Sequence, residues 1–240
     1  MNQPLGVLVT GIEHSGTSLL SLLLERHPLL CGGFECGLLL ADSPADFAKL
    51  EPWHQWMMDP VEIGHWGIPE SVMHEITESA DWAGAYRKIM EHSPRFDRPD
   101  QRVVDKAPRY RLYLTEILDK APTEIRCLVI EKNLANLWRS FRKRTDFEDY
   151  ADRCRVYHVA KRRAQKTHGD RIRIIRYEEL CTHVAEEVGA ALSFLGLEFR
   201  EEFVPDAADI EAHYGVSTGD HLPDEELRAI ENLREELRFL

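Results

Sequence analysis

Residues 5–24, LGVLVTGIEHSGTSLLSLLL, constrain this chain more than any other stretch. Residues 5–10 form a short apolar run rich in β-branched side chains and stopped by Gly11, the pattern of a buried strand. Residues 17–26 follow as a strongly apolar helix that Pro28 ends. Between them runs a loop bounded by Gly11 and Gly16. Such a loop turns its backbone N–H groups, and the positive end of the helix dipole, toward an anion. Thr17 and Ser18 add hydroxyl donors. The glycine spacing is that of a phosphate-binding Walker A loop, but Thr17 stands where that loop carries its Lys. Without that Lys an ATP or GTP phosphotransferase loses its γ-phosphate contact. A plain tight strand-to-helix turn is the other reading of the same residues.

The chain continues to alternate. Residues 102–105, 125–130 (IRCLVI) and 171–176 (RIRIIR) read as strands, the second apolar enough to be buried on both faces of a parallel sheet. Residues 110–120, 134–144, 150–167 and 178–195 read as helices. After Pro223, Leu227, Ile230, Leu233, Leu237 and Leu240 recur three or four apart, as one face of an amphipathic helix does. Strand–helix alternation predicts an α/β fold of three layers. Its central sheet is parallel, and it opens with a P-loop-like strand–loop–helix. The length suits one domain over residues 1–240. Residues 36–96 break the pattern and read as an inserted helical or irregular cap on the acceptor side.

Charge and cysteines narrow the classes. A net charge of −12 argues against a nucleic-acid coat. Residues 126–176 nevertheless hold 15 Lys or Arg against 6 Asp or Glu, either a solvated helical face or a pocket for a small polyanion. Five cysteines, an odd number with no CxxC pair, argue against a disulfide framework or structural zinc and favour a reducing, cytoplasmic home. No apolar stretch reaches the ~20 residues of a membrane helix, the first residues do not resemble a signal peptide, and no metal-ligand spacing appears.

GIEHSGTSLL resembles the first loop of sulfotransferases that use 3′-phosphoadenosine 5′-phosphosulfate (PAPS), commonly G-x-P-R/K-S-G-T-[ST]-L-L. It agrees at Gly11, Ser15, Gly16, Thr17, Ser18, Leu19 and Leu20. Three further segments resemble the same family in order. Lys132 and Ser140 keep the eight-residue spacing of its R-D-P-x(5)-S motif, with Asn133 and Leu134 for Asp-Pro. RYEEL at 176–180 and FLGL at 194–197 are similar to its RYEDL–helix–FLGL stretch. Lys106, Pro108 and Tyr110 are similar to its E-K-S/T-P-x-Y segment.

The resemblance implies a role for each residue. Ser15, Gly16, Thr17 and Ser18 would hold the 5′-phosphosulfate, Lys132 and Ser140 the 3′-phosphate, and Tyr177 would stand near the nucleotide. Lys106 would neutralise charge on the transferring sulfuryl group, against a reading as a surface lysine. His14 stands where the family carries a catalytic Arg or Lys, and is expected to act as a protonated stabiliser or general acid. In motif style the loop is closest to the subgroup that includes tyrosylprotein sulfotransferases. There a Glu after an H-P-x-x-x-C-G stretch is the base, which here points to Glu35 in HPLLCGGFECG. Glu35 could equally cap a helix starting near Gly37; His54 and His65 stand in reserve. The C-terminal R-K-G loop of many members is replaced by YGVSTGD, residues 214–220.

The expected activity is transfer of a sulfuryl group from PAPS, leaving the bisphosphate PAP, to a hydroxyl or amine. The acceptor would be a small molecule, carbohydrate or peptide, with no nucleic acid, membrane or metal involved. A degenerate fold that binds nucleotide or a partner without turnover, and a nucleotide kinase lacking the Walker lysine, are the alternatives. Four of the five tryptophans, Trp53, Trp56, Trp66 and Trp82, fall in the cap, where they either line an acceptor pocket or form a local core.

Overall fold

The computed structural model describes residues 3–205 and 221–240. Its sheet has five parallel strands: β1 (Leu5–Gly11), β2 (Leu30–Gly32), β3 (Arg102–Lys106), β4 (Cys127–Glu131) and β5 (Ile172–Arg176). Their order is β2-β3-β1-β4-β5, with β1 central. Val9 pairs with Lys106 on one side and Leu128 on the other, so the loop after β1 emerges between the ends of β3 and β4.

Period-two alternation sends successive residues to opposite cores. Leu8, Val103, Cys127 and Val129 join one buried cluster; Val7, Val9, Val104, Leu128 and Ile130 join the other. Leu5 shares a face with Leu8 despite the odd spacing, because the register shifts between Leu5 and Val7. The second face is covered by α1 (Thr17–Leu24), α8 (Tyr177–Thr182) and α9 (Val184–Phe194). The first is covered by α5 (Leu114–Lys120) and by residues 36–96. Those residues hold α2 (Trp53–Met58), α3 (Met73–Thr77), α4 (Trp82–His92) and several single 3₁₀ turns. Phe47, Met57, Trp66 and Tyr86 from this region lie in the same cluster as Leu8. A third cluster joins α6 (Leu134–Phe141), α7 (Phe147–His168) and α10 (Asp224–Phe239) beyond the end of β4.

The α/β alternation holds, with three local differences. β2 is an edge strand of three residues whose pairing comes from β3, not from its own propensity. The predicted helix over 110–120 begins as a 3₁₀ segment, Pro108–Tyr113. That over 178–195 breaks at His183, where Thr182 Oγ1 donates to the carbonyls of Glu178 and Glu179 and competes with the helical ladder. In α10 only Ile230 and Leu233 are fully buried; Leu227 and Leu240 face solvent. Residues 214–220 lie outside the described residues. No described helix is long and apolar enough to cross a membrane.

Candidate active site

The loop after β1 is shaped by two glycines that nothing else can replace. A Cβ on Gly11 would lie 2.5 Å from the Ile130 carbonyl and from Ser15 Oγ. Gly16 has φ 104°, and its missing Cβ leaves room for the ring of Tyr177. His14 has φ 66°, a left-handed conformation uncommon outside glycine and expensive unless the surroundings fix it. Gly16 is the N-cap of α1, which has no side-chain cap and no acid in its first turn. Its first N–H groups therefore keep their positive end for an anion. Ser15 is buried, and its Oγ has no hydrogen-bond partner. A buried orphan hydroxyl at the foot of an anion loop fits a ligand oxygen, and so does the glycine cradle around it. Thr17 is buried and Ser18 exposed.

Lys132 and Tyr177 meet this loop from the ends of β4 and β5. The Lys132 Nζ lies 4.3 Å from the centroid of the Tyr177 ring that packs on Gly16. Burial lowers the Lys132 pKa, while Glu178 opposes the shift. Glu178 also accepts from the Asn133 N–H, at 3.1 Å, and from Asn136 Nδ2 at 2.8 Å. Asn133 itself caps α6, its Oδ1 accepting from the Ala135 N–H at 2.9 Å. Ser140 lies one position before the end of α6, its hydroxyl donating to the Asn136 carbonyl at 3.3 Å.

A cavity of about 940 Å³ opens here, lined by Ser15, Lys132, Glu131, Arg111 and Lys161 among others. Its volume is in the range of small-molecule and cofactor sites. Glu131 accepts from Arg111 at 2.9 Å and from Lys161 at 2.7 Å. Burial pushes this carboxyl up, but the two cations outweigh it and hold it below its usual range. Part of the basic stretch 126–176, including Lys132, Lys161, Arg162 and Arg176, lines this cavity, and part is solvated helix.

On the other side of β1, Lys106 ends β3. The Cys36 N–H donates to its carbonyl at 3.1 Å, which brings Glu35 beside its side chain. Lys106 is buried, not a surface lysine, and its Nζ stands 4.5 Å over the Phe34 ring. Burial lowers its pKa, opposed by Glu35, Glu25 and Asp105. Burial raises the Glu35 carboxyl, with Lys106 pulling it back and Glu13 adding to the rise. Glu13 thus acts on Glu35 across the gap between loop and pair. The 3₁₀ turn after Gly37 has no side-chain cap, so Glu35 does not serve as one.

The tryptophans of residues 36–96 are mostly core: Trp53 packs against the same buried cluster as Trp82. Trp66 is core, and Trp82 packs against the core. Trp53 and Trp56 also join an aromatic group with Phe34 and His65, and Phe34 adjoins Glu35 in the chain. His65 stacks on Phe34 at 4.8 Å; His54 lies against Phe47 at 5.9 Å. Among the described residues one cluster could bind a metal, Glu75, Glu91 and His92, and Lys88 pairs with both of its carboxylates.

Two features had no sequence signal. Arg144, beyond the end of α6, donates through Nη1 to His14 Nε2 at 2.6 Å. Asp105 is fully buried and accepts from Tyr86 and, at 2.7 Å, from Tyr110. Arg144 lies 130 positions from His14 and Tyr86 lies 19 from Asp105, which leaves no local spacing to read for those contacts.

Comparison with solved structures places this fold among sulfotransferases. The sulfotransferase domain of the Synechococcus PCC 7002 olefin synthase is 19% identical over 100% of this chain and 90% of its own, with a TM-score of 0.60. The sulfotransferase domain from the curacin biosynthetic pathway is 14% identical over 98% and 99%, with a TM-score of 0.64. A mouse sulfotransferase complexed with PAP is 11% identical over 98% and 85%, with a TM-score of 0.51. At these identities the likeness concerns the fold. No curated protein matches the sequence. A family model described as the sulfotransferase family matches residues 4–201, most of the chain, which therefore belongs to the sulfotransferase family.

Proposed function

We propose that this chain transfers a sulfuryl group from PAPS to a hydroxyl or amine of an acceptor. The observation that carries the reading is the loop itself: a glycine cradle, an orphan buried Ser15 Oγ, and Lys132 and Tyr177 packed at its side. When bound, PAPS supplies an activated phosphosulfate bond. Ser15, Gly16, Thr17 and Ser18 would hold its 5′-phosphosulfate, in the manner of a P-loop. Lys132 and Ser140 would hold the 3′-phosphate, with Tyr177 beside the nucleotide. His14 stands at the loop position that faces the same anion.

Glu35 is the proposed base. Its raised carboxyl is better matched to taking a proton at neutral pH than an ordinary Glu, and Lys106 beside it neutralises charge. His54 and His65 are farther candidates. Residues 36–96 would cover the acceptor, and Phe34, Trp53 and Trp56 give it an aromatic face next to the base. A small-molecule hydroxyl on an apolar or aromatic body suits that face better than a carbohydrate or peptide. All five cysteines are free and buried, which suits the cytoplasm.

Calorimetric titration without magnesium tests the reading. PAP should bind clearly better than AMP, ATP or GTP, and equal binding of AMP would remove the 3′-phosphate site. Tight PAP binding with no sulfuryl transfer to any hydroxyl or amine would favour the non-catalytic reading.

A further inference from the structure

We infer that Arg144 supplies the permanent cation that the anion loop itself lacks, and that His14 is a positioning residue holding it there. This rests on the proposed sulfuryl transfer. The loop contains no Lys or Arg between Gly11 and Gly16. Arg144 reaches it from the link between α6 and α7, with Nη1 2.6 Å from His14 Nε2. Guanidinium is a donor only, so Nε2 accepts and the imidazole is neutral, with its proton on Nδ1.

The same phenylalanine fixes both partners. His14 meets the edge of Phe141 at 5.1 Å, and the Arg144 N–H donates to the Phe141 carbonyl at 2.7 Å. Among the described residues Arg144 makes no ion pair, so no carboxylate spends its charge. The nearby acid, Glu13, is engaged by Tyr157 at 3.1 Å and by Arg153 at 3.8 Å. Lys132 is the other cation acting on His14. Burial and Arg144 lower the His14 pKa, in that order, against Glu13, which agrees with a neutral ring. One Arg N–H is used on His14, and the guanidinium keeps others to donate to an anion. The left-handed φ of His14 belongs to the backbone conformation in which its imidazole meets the guanidinium.

The test reads His14 by NMR and PAP by calorimetry, in the full chain, alongside turnover. Without nucleotide, Arg144→Ala should raise the His14 pKa and release the Nδ1-protonated tautomer. PAP affinity should fall about 10-fold or more, as for lost hydrogen bonds to a charged group. Turnover with PAPS should fall by ~10²–10³-fold, as for a removed electrostatic donor. Arg144→Lys should retain part of each, and His14→Arg in the Arg144→Ala background should restore PAP affinity and turnover. An unchanged His14 titration, PAP affinity and turnover in Arg144→Ala would overturn the inference while leaving the transferase reading intact. Losses that His14→Arg does not restore would also overturn it, by making Arg144 a structural contact. Wild-type protein that does not bind PAP would overturn the transferase reading, and this one with it.

Discussion

The ring of Tyr177 fills the space that a Cβ on Gly16 would need, and Gly16 itself holds φ 104°. The end of β5 is thereby locked to the anion loop through one missing methyl group. Gly16→Ala should meet both penalties, conformational strain of ~1–3 kcal/mol and displacement of Tyr177. Melting temperature and PAP affinity should therefore fall together. Gly196 gives the control: its φ is 71°, and a Cβ there would meet nothing within 4 Å. Gly196→Ala should cost strain alone and leave PAP affinity unchanged. Normal PAP binding by Gly16→Ala would separate Tyr177 from the nucleotide site.

Lys132 and Ser140 make the second case. Lys132→Ala should weaken PAP binding by ~1.5–3 kcal/mol, the range for hydrogen bonds to charged groups, and Ser140→Ala by about 1 kcal/mol. AMP binding should change little in either variant, because it lacks the 3′-phosphate. Calorimetry of both ligands checks this, and equal losses for AMP and PAP would misplace the phosphate.

The contrast between these residues and Arg144 shows what the sequence could carry. Gly11 and Gly16 are legible because a local spacing on one strand and loop marks them, and Lys132 and Ser140 are candidates on a local spacing of the same kind. The strands β1 and β4 were legible because burial on both faces leaves a continuous apolar run. Nothing local marks β2, which has three residues and depends on β3 for its bonds. The Arg144–His14 pair joins residues 130 positions apart, and Asp105 meets Tyr86 across 19. Such contacts exist only once the sheet order is set. Trp66 and Trp56 are equally apolar in sequence, and only packing sends one to the core and the other against Phe34.

The Glu35 carboxyl, raised by burial against the pull of Lys106, should set the acid limb of activity. A base works only when deprotonated, so kcat/KM should rise with pH through a value above the usual Glu range. Glu35→Gln keeps the shape but takes no proton. Turnover should fall by ~10²–10⁴-fold with PAP affinity nearly fixed, and the acid limb should vanish. A pH–rate profile of both proteins checks the role, and near-normal turnover in Glu35→Gln would pass it to His65 or His54.

Asp105 stands next to Lys106 in β3 but faces inward, where Tyr86 of α4 and Tyr110 donate to it. This network ties residues 36–96 to the strand that carries Lys106, so its protonation bears on the candidate site as well as the fold. Burial pushes the carboxyl up to about 6, although both tyrosine hydrogen bonds oppose the rise. The folded chain therefore holds this proton at pH values where the unfolded chain has released it. The sign follows: this group favours the fold fully below about pH 4, and that contribution is lost as pH rises through about 6. Two pKa units correspond to roughly 3 kcal/mol. Asp105→Asn can place its amide oxygen where both tyrosines donate, and it cannot titrate. The difference in unfolding free energy between wild type and variant should therefore shift toward the variant by up to that amount from pH 4 to 7. Denaturant unfolding at both pH values measures it. A difference that does not move with pH would mean that Asp105 ionises as readily inside the fold as outside it.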